Sequence, residues 1–338
     1  MNRFASLTLT GLFATALLSA ACGPVTQIPL PEEEPVTAAS SASTTDVLSG
    51  HLTVGIPPGA VDAPRRASIM AAPQSSNDET RIVLEGGGPE GMAKFVMMVT
   101  ELYLLGSGDL RADAGKLAAR DEKVVELRGA RLPTFAFEPG PGEPLPDRPL
   151  FVLGGVISHP DGTLQEVEFF ILPEMAASRK DYTDRARAVL STFAPGKRKI
   201  ETAGGKTALG KTLFVNMPPS FILSTQPGPD FDVFRVRRLR RPGEPGATLG
   251  IYVGGHPSLQ IDQLIKSGED TPPAKTEEGT VLGRKTEWVE WRGADGLEIK
   301  ETIVPLDDQQ SVHVFAMATT VEDLEGLLRI VQTLAQAH

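Results

Sequence analysis

Two similar α+β domains, each a central antiparallel sheet with helices packed on it, are what the sequence predicts, and three features predict them. Short runs alternate apolar and polar residues at the period of a strand. The same landmarks recur in the same order in the two halves of the chain. Each half then closes on an amphipathic helical pattern, and strands in a meander covered by a helix form a layered α+β unit.

The chain opens with Arg3, an apolar run from Leu7 to Ala21, and the small residues Ser19-Ala20-Ala21 directly before Cys22. A basic start, a short apolar stretch and a small-residue cleavage site are the three parts of an export signal, here residues 1–21. The run falls short of the roughly 20 apolar residues that a membrane-spanning helix needs. Leu17-Leu18-Ser19-Ala20-Ala21-Cys22-Gly23 resembles the lipobox of bacterial lipoproteins, with Ser19 where the family has leucine. The resemblance implies that Cys22, the single cysteine of the chain, becomes the acylated first residue. Acyl chains contribute about 0.8 kcal/mol per buried methylene, so two or more hold a soluble body at a membrane. Residues 22–49 are rich in Pro, Glu, Ser, Thr and Ala and read as a disordered tether. No aspartate follows Gly23, which by resemblance to enterobacterial sorting favours the outer membrane, facing the periplasm or the cell surface.

Domain 1 is read over residues 50–197, a linker over 198–211 and domain 2 over 212–338. Leu52-Thr53-Val54-Gly55-Ile56-Pro57-Pro58 answers to Leu213-Phe214-Val215-Asn216-Met217-Pro218-Pro219, a strand ended by two prolines in both cases. Strands at Arg81 to Leu84 and Lys94 to Leu104 follow in the first half. The stretch Tyr103 to Asp113 runs parallel to Tyr252 to Asp262 without a gap, and a helix is expected to start near Asp109 or Ser258. Gly129 and Gly283 sit within similar strand pairs, and Asp161-Gly162 and Asp295-Gly296 read as matching hairpin turns. The closing helices carry Ala186, Val189, Leu190 and Phe193 in one half, and Leu324, Leu327, Leu328, Val331 and Leu334 in the other, where Thr320 and Asp323 make the N-terminal cap.

A strand of the form apolar-x-Val-x-apolar-Pro-Pro, a tyrosine-bearing strand leading into a helix, an Asp-Gly hairpin and a leucine-rich closing helix resemble the PsbP-like superfamily, which includes the Ran-binding Mog proteins and the DcrB-type bacterial lipoproteins. The resemblance covers both halves. It implies a central antiparallel sheet flanked by helices, and a binding or assembly role rather than catalysis.

Composition and motifs narrow the function further. The net charge of −10 argues against a dedicated nucleic-acid binder, which relies on a basic surface. Gly205 to Thr212 fits the spelling of a phosphate-binding loop, but that mechanism needs a helix directly after the loop and a strand follows here. Gly86-Gly87-Gly88-Pro89-Glu90-Gly91 likewise spells a dinucleotide fingerprint but reads as a glycine-rich hairpin. His51, His159, His256, His313 and His338 lack the spacing of a zinc site, so neither a metal nor a cofactor is expected. Glu166 and Glu168, on one face of a strand, read as a solvent-facing row opposite Val167, Phe169 and Ile171. No catalytic residue is assigned. Arg235, Arg237, Arg238, Arg240 and Arg241 form the one dense basic run and, with Trp288, are the candidate partner contacts, the alternative for the arginines being a charged strand edge. Trp288 and Trp291 fall on opposite faces of one strand. The sequence thus points to a non-catalytic, lipid-anchored binding or assembly module of the cell envelope, with membrane contact through Cys22 and an envelope protein as partner. A structural or stress-related lipoprotein, or a hydrolase whose site forms from distant segments, stands as the alternative.

Overall fold

The computed structural model describes residues 43–62, 78–88, 92–118, 122–139, 149–227, 231–255, 257–259, 261, 274–293 and 296–336. The export signal, Cys22 and most of the tether lie outside the described residues, as do Asp295, His256 and His338. The described chain divides into an N-terminal unit up to Ile200 and a C-terminal unit from Glu201.

In the N-terminal unit, β1 (Ser43–Val47), β2 (Leu52–Ile56) and β10 (Ala194–Pro195) form a small antiparallel sheet. The main sheet comprises β3 (Val61–Asp62), β4 (Glu79–Glu85), β5 (Phe95–Leu105), β6 (Lys123–Glu126), β7 (Thr134–Glu138), β8 (Leu150–Ser158) and β9 (Thr163–Ile171). Its order is β3-β4-β5-β9-β8-β7-β6, antiparallel throughout. Alternate residues Val167, Phe169 and Ile171 of β9 and Phe95, Met97 and Val99 of β5 are buried in one cluster with Leu52 and Val54 of β2 and with Tyr182, Ala186, Val189 and Leu190 of α2 (Arg179–Leu190). On the other face, α1 (Leu110–Leu117) starts at Asp109, whose carboxylate accepts the Ala112 N–H at 3.0 Å, and its Ala114 packs with Leu104, Phe137, Val156 and Leu164.

The C-terminal unit is one sheet of β11 (Ala203–Leu209), β12 (Leu213–Pro227), β13 (Phe231–Arg238), β14 (Ala247–Gly254), β15 (Lys275–Val281), β16 (Arg284–Arg292), β17 (Glu298–Pro305) and β18 (Ser311–Ala318), in the order β11-β12-β13-β14-β18-β17-β16-β15. A short β19 (Ala335–Gln336) pairs with β12. Between β18 and β19, α3 (Val321–Val331) buries Leu324, Leu327, Ile330 and Val331 against Leu249, Ile251, Val312 and Val314 of the sheet. The Thr320 hydroxyl accepts the Asp323 N–H at 3.2 Å and caps α3.

The two units share one strand order. From β4 onward the path β4-β5-β9-β8-β7-β6 matches β13-β14-β18-β17-β16-β15. The strand after each closing helix, β10 or β19, returns to pair with β2 or β12.

Several expectations are corrected. The α+β class gives way to a mostly β protein of three antiparallel sheets, with α1, α2 and α3 as the α-helices among the described residues. The reason is that strand pairing extends into segments that read as boundaries. Residues 203–209, expected within the linker, form β11 against β12. Pro218 and Pro219, expected to end a strand, lie inside β12 at an irregularity in its pairing with β11: Met217 pairs with Gly205 on one side of it, and Phe221 pairs with Ala203, and with Arg238 of β13, on the other. A proline has no N–H to give a ladder, and at this irregularity none is required. The tether ends earlier than expected, because β1 begins at Ser43 and Val47 and Leu48 are buried. The Asp-Gly turns do not correspond either, since the turn at Asp161-Gly162 joins β8 to β9 whereas that at Gly296 joins β16 to β17.

Candidate functional site

Two places in the described chain gather functional groups. The first is a buried polar cluster in the N-terminal unit, built from three separate segments. His51 follows the left-handed turn Leu48-Ser49-Gly50 that links β1 to β2. Glu101 sits on β5 just before an irregularity in the pairing with β9, and its carboxylate turns inward. The third segment, His159-Pro160-Asp161-Gly162, is a tight turn between β8 and β9, with Gly162 at φ +86° and its N–H donating to the His159 carbonyl at 2.9 Å.

These segments meet in a closed circuit of hydrogen bonds. His51 Nδ1 lies 2.5 Å from Glu101 Oε2, and His51 Nε2 lies 2.9 Å from Asp161 Oδ2. Gln165 Nε2 donates to Glu101 Oε1 at 3.1 Å and to Thr163 Oγ1 at 2.8 Å, and the Thr163 hydroxyl donates to Asp161 Oδ1 at 2.7 Å. His159 Nδ1 is 2.8 Å from Asp161 Oδ1, and its ring lies 4.1 Å from that of His51 between centroids. Burial would lower the His51 pKa, but hydrogen bonds and charge from Asp161 and Glu101 outweigh it and raise it to about 9. For Asp161 burial works upward, and hydrogen bonds from His51, Thr163 and His159 overcome it, holding the carboxyl far below the ordinary range. The C-terminal unit has a smaller pair, His313 Nε2 to Glu301 Oε2 at 2.8 Å, with Glu301 Oε1 accepting the Ile261 N–H at 2.6 Å.

The second place is a cavity of about 430 Å³ in the C-terminal unit, between α3 and the sheet. Phe221, Ala247 and Ile330 supply apolar surface, and Arg238, Glu322, Asp323 and Arg329 supply charge. Arg238 Nη1 lies 2.7 Å from Asp323 Oδ1 and ties β13 to the first turn of α3.

The residues singled out from sequence are distributed unevenly over these places. Strand alternation splits the arginine run: Phe234 and Val236 are buried, Arg238 shares their face, and Arg235 and Arg237 point to the other. Arg237 donates to the Ser224 hydroxyl at 3.1 Å. Arg240 and Arg241 lie beyond β13 in a loop closed by Glu244, which accepts the Arg241 N–H at 2.9 Å. The five therefore form no single surface, and Arg238 alone among them lines the cavity. Trp288, expected as a partner contact, is 5% exposed and belongs to the core, while Trp291 on the opposite face is half-buried. Glu166 and Glu168 are half-buried rather than solvent-facing. Burial, followed by the charge of Glu122, pushes Glu166 up to about 7, and burial, followed by Glu166, Glu122 and Glu79, raises Glu168 well above the usual carboxylate range. Gly205 to Leu209 lie in β11 and the chain re-enters the sheet at Leu213, so no helix N-terminus faces that loop. Gly86 to Gly88 open the turn between β4 and β5, with Lys94 N–H donating to the Glu85 carbonyl at 2.8 Å.

Sequence reasoning scattered the histidines, and the structure brings two of them together. His51 and His159 stand 108 positions apart, a separation that no ligand spacing reveals. The signal that was present is local: His-Pro-Asp-Gly is a turn sequence, and a turn of that kind holds its first and third side chains close together.

No protein-family model and no curated protein matches the chain. Among solved structures, the crystal structure of MucB in complex with MucA(peri) is similar at 10% identity over 77% of this chain and 83% of that one, with a TM-score of 0.19, a likeness too slight to carry a fold or a role.

Proposed function

We propose that the protein is a non-catalytic binding or assembly module of the bacterial cell envelope, anchored through lipidated Cys22 to the outer membrane, and that the cavity beside α3 receives a protein partner. The observation that carries the binding part is the cavity itself. Its apolar surface gives affinity by excluding water, and its charged groups, Arg238 paired with Asp323 among them, give orientation and selectivity. The anchor rests on the apolar run that ends at Cys22 and on the lipobox resemblance, and the PsbP-like resemblance implies the same kind of role.

Gly326 lies on α3 at the cavity wall, and a Cβ there meets only the end of the Arg329 side chain, at 3.8 Å. Gly326→Trp is expected to place its ring in the cavity, since the first added carbon meets no core atom, and replacing glycine in a helix favours the helix. Affinity capture from envelope extract is expected to recover one stoichiometric partner with the wild-type protein and to lose it with Gly326→Trp. Cys22→Ser is expected to move the protein from the membrane fraction to the soluble one. Equal recovery with Gly326→Trp, or recovery of no partner, contradicts the binding reading, and unchanged fractionation contradicts the anchor.

A further inference from the structure

We propose that His51, His159 and Asp161 bind a divalent transition-metal cation, zinc or a close chemical relative, in the N-terminal unit. Each of the three offers a ligand atom, and these atoms lie within 4.8 Å of one another. Two imidazoles and a carboxylate are the donor set of zinc-type ions, whereas calcium and magnesium take oxygen ligands. Metal–ligand bonds of about 2.0–2.1 Å place tetrahedral ligands roughly 3.3 Å apart. His51 Nε2 lies 2.9 Å from Asp161 Oδ2 and His159 Nδ1 lies 2.8 Å from Asp161 Oδ1, so each imidazole already borders one oxygen of the carboxylate, and an ion binds by drawing the two nitrogens and a carboxylate oxygen to that spacing.

The surroundings fit the same reading. A histidine that ligates a metal through one nitrogen commonly gives its other N–H to a carboxylate, which fixes the ring and its tautomer. His51 has that arrangement: Nδ1 meets Glu101, Gln165 holds Glu101, and Gln165 is tied through Thr163 back to Asp161. Charge points the same way. Glu101 is buried and Asp161 is 16% exposed at its side chain, so the pocket carries two carboxylates that one divalent ion balances and one proton does not. The partial exposure of Asp161 leaves a way in for an ion while His51 stays sealed.

The site belongs to the N-terminal unit and the proposed docking cavity to the C-terminal one. Its test is zinc titration of the purified full-length protein, prepared without a histidine tag, followed by calorimetry and by competition with a chromogenic chelator. One zinc ion per chain is expected, with calcium giving no binding. His159→Asn and Asp161→Asn are each expected to weaken zinc binding at least about tenfold, while His313→Gln in the other unit leaves it unchanged. Because a substitution in a buried circuit also risks the fold, imidazole ¹⁵N resonances of the wild-type protein supply an independent reading: two histidines shift on adding zinc, and His159→Asn removes one of them. Absence of zinc binding, binding equal in wild type and both ligand variants, or no movement of the two resonances overturns the proposal.

Discussion

Gly196 decides how closely the end of the N-terminal unit approaches the turn that carries His51. Its N–H donates to the His51 carbonyl at 2.9 Å, and a Cβ built on it would fall 2.1 Å from the Gly50 carbonyl oxygen. Both partners are backbone and neither can swing aside. Gly196→Ala is expected to destabilise the protein by about 1–3 kcal/mol through overpacking, measured by denaturant unfolding. Trp288 makes the opposite case at the same scale. It lies against Gly279, where an added Cβ would come within 2.4 Å of the indole ring, and its burial fills the core. Trp288→Ala is expected to cost about 3–5 kcal/mol, and a variant as stable as the wild type would return this residue to the role of a surface partner contact. The sequence separated the two tryptophans by face correctly, because i and i+3 on a strand point apart. It does not say which face is core, since that depends on where α3 docks.

At the scale of the element, β9 shows how far alternation reads and where it stops. Val167, Phe169 and Ile171 are fully buried as their period of two requires, and the start of α3 was legible from Thr320 and Asp323, whereas Leu334, expected within the helix, lies beyond its end at Val331. Glu166 and Glu168 read as a solvated row by the same alternation. The strand has another layer beside that face, built around α1, so these carboxyls are half-buried with Glu122 nearby. A consequence in pH follows. The folded pKa of Glu166, about 7, exceeds the unfolded value of 4.5, so the folded state holds this proton more tightly. The stabilisation is fully present below pH 4.5 and is lost as pH rises through about 7, and Glu168 shifts in the same direction. The double variant Glu166→Gln, Glu168→Gln is expected to have the higher Tm at pH 8 and a flatter Tm between pH 4.5 and 7 than the wild type. Parallel melting profiles for the two proteins would contradict the assignment. Elements that the sequence hid have physical reasons as well: β11 is glycine-rich with no apolar alternation to betray it, and β12 carries two prolines at an irregularity of its ladder with β11 that only the three-dimensional pairing makes permissible.

For the whole molecule, the recurring landmarks mattered more than the class assigned to them. The glycines at 129 and 283 fall in matching turns, β6 to β7 and β15 to β16, while the Asp-Gly pairs do not match and the double-proline strand β2 lies in a small separate sheet where β12 belongs to the main one. Residues brought together by chain reversal over a hundred positions, such as His51 with His159, leave no periodic trace, and the cavity beside α3 arises from packing that no linear pattern records. Binding at that cavity is the centre of the functional account. A photocrosslinking side chain at Asn216, which is exposed on the cavity wall, tests it in the intact envelope against the same side chain at Glu278, exposed on β15. One discrete adduct is expected from position 216 and none from position 278; no adduct at 216, or the same adducts from both positions, would rule out binding at this cavity.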